Sequence, residues 1–271
     1  MFHTRTLTHA HAHTRFHNTT HTQYNGMLHA VSPNGTSLYD KHLYKASRGC
    51  DYTTPTFDPR RPGNALWTAT SCLGNTAMFG IADVATGAVT FDANLTAVYA
   101  GIHTETVPVV VEAADLALVT SRTLDTLFLT AIDLATQAVT FSYKCSLPPG
   151  GIIGMISDYT PASDGSVAVV SCADGVHEVD LDTGTLARLH ACGSESGCVA
   201  GQPLVTPDLI VVNNLTAAGV AGISRSTSAS AILTPMHGDP VLTGPTGSTL
   251  VVTNVAAGTV NVIDLAVSSS S

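Results

Sequence analysis

The sequence predicts an all-β protein, a β-propeller of about five to six four-stranded blades in a complete or incomplete ring. Three observations support this prediction. Short β-branched or alternating segments recur, each ending in a polar residue and a tight turn. The polar residues at these strand ends lie 50, 47, 44 and 40 residues apart, which is the length of one propeller blade. No segment sustains helical spacing of apolar residues over three turns.

The clearest repeat occupies residues 161–189. It contains a β-branched strand at 166–172, then an Asp-Gly pair, which is the strongest short-range indication of a hairpin. A second strand at 176–180 alternates apolar and polar residues, and a third follows at 185–189. The alternation predicts a half-buried second strand with His177 at the surface.

The other repeats follow the same template. Each begins after a proline, and a weaker first copy covers residues 27–44; the prolines are Pro55, Pro108, Pro203 and Pro240. The polar residues at the strand ends are Asp83, Asp133, Asp180, Ser224 and Asp264.

The turns after these strands have a physical explanation. An Asp at the strand end can accept hydrogen bonds from the N–H groups of the turn, and Gly supplies a positive φ. The residues that we assign to blade turns are Asp83, Gly87, Asp133, Asp180, Gly184 and Asp264. Metal binding at Asp180 with Asp182 is the alternative, but the same residues recur wherever the turn recurs, which favours a structural role.

Two segments, residues 169–184 and 250–264, resemble the repeats of PQQ-like (quinoprotein-dehydrogenase-like) and YVTN-type β-propellers. The resemblance covers about residues 50–267 and implies a propeller fold. A quinoprotein enzyme of this kind would also stack its cofactor on a tryptophan, often cap it with two adjacent cysteines, and have eight blades. This chain has no Cys-Cys pair, and Trp67, its single tryptophan, lies within a strand pattern. We therefore expect no cofactor and no metal.

The chain divides into three parts. We predict that residues 1–24 form a disordered His/Thr-rich leader, that residues 25–267 form the propeller, and that residues 268–271 are a serine tail. The first 22 residues hold six of the twelve histidines, so a metal-binding tract and an artefact of a dinucleotide repeat are alternatives for this leader. No signal peptide is visible in it.

The six cysteines follow the repeat. We predict disulfides Cys50–Cys72, Cys145–Cys172 and Cys192–Cys198, although six cysteines allow 15 pairings in principle. Free thiols are an alternative, and zinc is disfavoured because no Cys-x-x-Cys occurs. Candidate N-glycosylation sites add to the evidence for an extracellular or luminal protein; they are Asn18, Asn34, Asn94 and Asn214.

Charge and motifs narrow the function. The net charge is −9 and no Lys/Arg cluster is long enough to follow a phosphate backbone, so we expect no nucleic-acid binding. No apolar run approaches the length of a transmembrane helix, so we expect no membrane insertion. The relaxed Gly-x-Ser-x-Gly at 193–197 lacks a preceding apolar strand, so we assign no catalytic residue. The sequence favours a non-catalytic binding or scaffold module for a protein or glycan. The alternatives are a divergent quinoprotein-like oxidoreductase, a propeller hydrolase, or a fragment of a larger multidomain protein. The predicted contact loops are 91–107, 146–161 and 233–247.

Overall fold

The structure is a computed structural model that describes most of the chain. The described residues are 11–12, 27–31, 36–42, 50–52, 55–71, 77–95, 103–104, 107–123, 125–146, 159–162, 164–191, 199–214, 219–235, 239–243, 249–254 and 257–265. Most of the predicted leader, the serine tail, Asn34, Cys72, Cys192 and Cys198 therefore lie outside them. Two compact units are distinguished: residues 1–112, 117–123 and 134–137 form the first, and residues 113–116, 124–133 and 138–271 the second.

The described strands form six antiparallel sheets, numbered I to VI along the chain. Sheet I contains β1 (His11–Ala12), β2 (Met27–Val31) and β3 (Ser37–His42). Sheet II contains β4 (Cys50–Tyr52), β5 (Thr56–Phe57), β6 (Asn64–Ser71), β7 (Ala77–Asp83) and β8 (Val89–Asn94). Sheet III contains β9 (His103–Thr104), β10 (Val109–Val111), β11 (Leu116–Arg122), β12 (Thr126–Asp133) and β13 (Ala138–Ser146), with a 3₁₀ turn at Glu112–Ala114.

The last three sheets are simple meanders in chain order. Sheet IV contains β14 (Tyr159–Pro161), β15 (Val167–Cys172), β16 (Gly175–Asp180) and β17 (Leu186–Ala191). Sheet V contains β18 (Val199–Val205), β19 (Leu209–Asn214), β20 (Gly219–Ser224) and β21 (Ser230–Thr234). Sheet VI contains β22 (Asp239–Thr243), β23 (Thr249–Asn254) and β24 (Thr259–Asp264).

In the second unit, the sheets bury one another's faces. Ile210 and Val212 of sheet V pack in one cluster with Val169 and Val176 of sheet IV. The alternate residue Val211 packs on the other side, with Leu250 and Val252 of sheet VI. Because successive side chains of a strand point to opposite faces, β19 contributes to two cores at once. This explains why the inner strands are apolar throughout rather than alternating.

In the first unit, the core centres on sheet II, where Leu66, Trp67, Phe79 and Ile81 are fully buried. Trp67 lies opposite Gly80 in the β6–β7 register, and its indole ring occupies the space that a Gly80 side chain would need. Trp67 is therefore a core residue of this sheet.

A β-bulge lies between the last two strands of four sheets, and in sheets II, III and IV it occupies the same place, two residues before the end of the inner strand. The register shifts between Ile81 and Ala82 in sheet II, and between Ala131 and Ile132 in sheet III. It shifts again between Glu178 and Val179 in sheet IV, and near the start of β20 in sheet V. In sheets II and III, the extra residue is a threonine, Thr90 or Thr140, whose hydroxyl donates to a carbonyl across the bulge.

Two features of the fold correct the sequence analysis. The predicted contact loops 91–107, 146–161 and 233–247 contain strands β9, β14 and β22. These are short strands at or near a sheet edge. Strands β14 and β22 contain Pro161 and Pro240, the prolines at which two of the repeats begin. Proline lacks an N–H group, which an edge strand tolerates because one of its sides needs no ladder bonds. Pro161, Pro203 and Pro240 therefore lie within the first strand of a sheet, whereas Pro55 and Pro108 immediately precede the short strands β5 and β10.

Candidate functional site

Five side chains meet between sheets III and IV, and we call them the junction cluster: Tyr143, Cys145, Cys172, Asp174 and His177. The last strand of sheet III, β13, provides the first two, and the β15–β16 hairpin of sheet IV provides the others. Near the cluster the two backbones also join, because the Ala173 N–H donates to the Ser146 carbonyl over 2.8 Å. The cluster is thus positioned by backbone as well as side-chain contacts.

A hydrogen-bonded chain runs through the junction cluster. The Tyr143 hydroxyl lies 2.6 Å from Nδ1 of His177, and Nε2 of His177 lies 2.8 Å from Oδ1 of Asp174. The His177 side chain is 7% exposed, whereas that of Asp174 is 61% exposed. The chain therefore connects a half-buried phenol, through a buried imidazole, to a carboxylate in water.

The electrostatics of this chain limit its chemistry. Burial raises the pKa of Tyr143 above its ordinary value, and the negative charge of Asp174 adds to the increase. A nucleophilic phenolate would need the opposite shift. The order carboxylate, imidazole, hydroxyl is that of a catalytic triad, but here it favours holding a proton and fixing the ring over activating a nucleophile.

The junction cluster confirms one predicted disulfide and corrects one prediction. Cys145 and Cys172 are joined by a disulfide. His177, predicted at the surface, is buried, because β16 packs on both faces and Tyr143 and Asp174 satisfy both of its ring nitrogens. The prediction was wrong because a polar side chain that alternates with apolar ones can also be buried when partners satisfy it. Cys50 lies in β4 opposite Ser71, and the bridges to Cys72 and between Cys192 and Cys198 lie outside the described residues.

A second buried polar group ties sheets IV and V together. The Glu178 carboxylate accepts hydrogen bonds from Arg225, at 2.8 Å from Nη2 and 3.2 Å from Nε. Its other oxygen lies 2.7 Å from Nε2 of His190. Burial alone would raise the pKa of Glu178, but the bonds and charges of Arg225 and His190 outweigh it and lower the pKa. Arg225 also donates to the Thr206 and Pro207 carbonyls, which fixes the turn that carries it.

The blade turns share one geometry. Oδ1 of Asp83 accepts from both the N–H and the hydroxyl of Thr86, at 2.8 and 2.7 Å, and Oδ1 of Asp180 accepts equally from Thr183, at 2.7 and 2.8 Å. The hydroxyl and N–H bonds from Thr86 lower the pKa of Asp83, and the same bonds from Thr183 lower that of Asp180. The structure thus places these carboxylates in turn hydrogen bonds.

The fourth turn position has a positive φ after four of the strand ends, those of sheets II to V. The residues there are Gly87 (68°), Gln137 (56°), Gly184 (68°) and Ser228 (60°). Asp133 precedes Gln137 at the end of β12, and Asp264 ends β24. Of the candidate glycosylation sites, Asn94 ends β8 and Asn214 ends β19.

A row of exposed and half-exposed valines crosses one face of sheet VI. Val241, Val251 and Val262 are cross-strand partners in β22, β23 and β24, so they form a row on one face, and Val260 lies two residues before Val262 on the same face. We call these four residues the valine face. Val241, Val260 and Val262 are 53%, 61% and 68% exposed, the highest values among the large hydrophobic side chains of the described residues. The opposite face of the sheet, with Leu250 and Val252, is buried.

Sequence reasoning missed most of these functional candidates. Tyr143, Arg225 and His190 had no motif around them, because each meets its partner across a sheet or between sheets. The one available indication was a strand with two adjacent polar residues, His177 and Glu178, in an otherwise apolar sheet, each of which needs a buried partner.

Comparisons with known proteins define the fold. No protein-family model matches the chain, and no curated protein matches it. Among solved structures, the propeller of Dos1 matches with a TM-score of 0.60 and 16% identity, over 89% of this chain and 63% of that chain. This chain thus spans less than two thirds of the length of that structure. At such low identity the likeness concerns the fold alone, so the PQQ-like and YVTN relationships remain resemblances.

No helix among the described residues is long and apolar enough to cross a bilayer. The chain is an all-β protein with the β-propeller fold.

Proposed function

We propose that this β-propeller is a non-catalytic binding module and that the valine face of sheet VI contacts a protein partner. The observation that carries the proposal is the row of β-branched side chains on a sheet whose other face is already buried. Contiguous exposed apolar patches on soluble proteins mark interaction surfaces. Binding would remove this patch from water, and the gain is proportional to the apolar area covered.

The chemistry of the valine face favours a protein over a glycan. Sugars present hydroxyl groups, which need convergent polar partners at the binding surface. The ladder Val241, Val251 and Val262 offers only methyl groups, and the described polar neighbours on this face, Thr249, Thr253 and Asp264, lie around the valine row rather than within it. An apolar protein surface matches such a face, as at the centre of protein interfaces.

The compartment is part of the proposal. We infer that the module works in an extracellular or luminal setting, since a disulfide joins Cys145 to Cys172 and such bonds persist mainly in oxidising compartments. The proposal concerns this chain as a module, alone or within a larger protein.

The test uses a photo-crosslinking residue at position 251, followed by identification of the crosslinked protein and its purification. The affinity of that protein for the wild-type chain is then compared with its affinity for Val260→Lys/Val262→Lys. We expect the double variant to bind at least about tenfold more weakly, because two charges would enter an apolar interface. Both substituted side chains are exposed, so the fold should persist, which urea unfolding checks.

Leu186→Lys provides the matched control, since Leu186 is an exposed apolar side chain of β17 in another sheet. It should leave the affinity unchanged. Equal binding by the double variant would refute the role of the valine face. Stabilisation of the chain by pyrroloquinoline quinone with calcium, or binding of a glycan that the double variant retains, would favour the competing functions.

A further inference from the structure

We propose that reduction of the Cys145–Cys172 disulfide converts the junction cluster into a binding site for Zn²⁺, with the two thiolates and His177 as ligands. One ligand atom from each of these three residues lies within 4.8 Å of the other two, and all three residues are buried. The proposal is independent of the valine face.

The donor set selects the cation. Two thiolates and one imidazole match the preference of Zn²⁺ for sulfur and nitrogen, and disfavour Ca²⁺ and Mg²⁺, which take oxygen ligands. Three protein ligands leave one coordination position for water. If Nδ1 of His177 binds the ion, Nε2 keeps its hydrogen bond with Asp174; if Nε2 binds it, Nδ1 keeps its hydrogen bond with Tyr143. Such an outer hydrogen bond fixes the tautomer and orientation of a metal-ligating histidine.

The redox step is a two-electron exchange with a dithiol reductant. The reductant supplies two electrons and two protons, the S–S bond breaks, Cys145 and Cys172 become thiols, and the reductant becomes a disulfide. Zn²⁺ then displaces the two thiol protons into water, so that its two positive charges are balanced by two thiolates. In the oxidised chain the sulfur atoms are bonded to each other and have no thiolate to offer.

The consequence is a junction that stays cross-linked in both redox states. Cys145 belongs to sheet III and Cys172 to sheet IV, so the disulfide joins the sheets under oxidising conditions. The zinc ion would join the same two strands under reducing conditions. It would also neutralise thiolates that burial alone would disfavour.

Cobalt(II) titration of the full-length chain tests the proposal, because cobalt replaces zinc and reports thiolate ligation by charge-transfer absorption. We expect the phosphine-reduced wild type to bind cobalt with this absorption, and zinc to displace it. The oxidised wild type should show none. Cys145→Ser/Cys172→Ser should lose it, and His177→Gln should weaken zinc binding at least about tenfold.

Reduction also leaves four other cysteines that can bind cobalt, so a second measurement on the wild type identifies which cysteines bind the ion. In reduced wild type, zinc should protect Cys145 and Cys172 from alkylation, as located by peptide mass spectrometry. Alkylation of both at the rate seen without zinc would overturn the proposal. So would a cobalt spectrum that His177→Gln leaves unchanged in intensity and affinity, or one that survives the loss of both cysteines.

Discussion

At the scale of single residues, the blade turns share one backbone requirement, which different residue types meet at different energetic cost. The fourth turn position requires a positive φ, which glycine adopts at no steric cost and other residues at about 1 kcal/mol. Sheets II and IV have glycine there, Gly87 and Gly184, whereas sheets III and V have Gln137 and Ser228. The sequence predicted the turns from Asp and Gly, and it could not show that Gln137 and Ser228 adopt the same conformation.

Gln137→Gly and Ser228→Gly should each stabilise the protein. Relief of the left-handed conformation outweighs the extra entropy of glycine in the unfolded chain, and we expect a gain of about 0.5–1 kcal/mol in the free energy of unfolding. Urea unfolding measures it. Gly184→Ala is the control of opposite sign, since its Cβ would meet the Phe141 ring at a φ of 68°. A lower free energy of unfolding in both Gln137→Gly and Ser228→Gly would contradict the turn geometry.

The turn carboxylates make stability depend on pH. Hydrogen bonds from Thr86 and Thr183 lower the pKa values of Asp83 and Asp180 in the folded state. Their contribution is therefore complete above the unfolded pKa of about 4 and disappears as the pH falls through the lower folded values. The urea midpoint should fall on acidification below about pH 4. Asp83→Asn/Asp180→Asn, which keeps an acceptor oxygen without titration, should show a weaker dependence, and an identical dependence would exclude this cause.

At the scale of elements, sequence pattern placed the inner strands well and the first strands poorly. The predicted strand at 166–172 corresponds to β15, and that at 185–189 to β17. Strands β14 and β22 escaped prediction because they are short edge strands that contain proline. The junction cluster escaped for a different reason, since Tyr143 and His177 are 34 residues apart and meet only when two sheets pack.

The Glu178 bridge belongs to this scale, because it connects two sheets. Arg225→Met should cost about 3 kcal/mol in the free energy of unfolding, since it leaves a buried carboxylate without its main partner. Addition of Glu178→Gln to that variant should recover part of the loss by removing the charge. Urea unfolding of both variants measures this. A cost of the size seen for surface ion pairs, about 0.5 kcal/mol, would contradict a structural role for the bridge.

At the scale of the molecule, one sheet plan is repeated with variations. A positive-φ turn recurs in sheets II to V, a bulge recurs at one place in sheets II to IV, and sheets IV to VI pack face to face through the side chains of β19 and β20. The β-propeller fold was predictable because its repeat spacing is visible in the sequence. The valine face was not, because a half-buried and a fully buried apolar strand look alike until their neighbours are known.

Amide hydrogen exchange, resolved by residue, tests the repeated blade most directly. The amides of Asp83, Asp180 and Ser224 donate across the turn to the carbonyls of Ala88, Thr185 and Ala229, and those of Gly87, Gly184 and Ser228 donate back to the three strand ends. We expect slow exchange at both members of all three pairs. Fast exchange at these amides, or protection that does not recur at matching positions, would contradict the account.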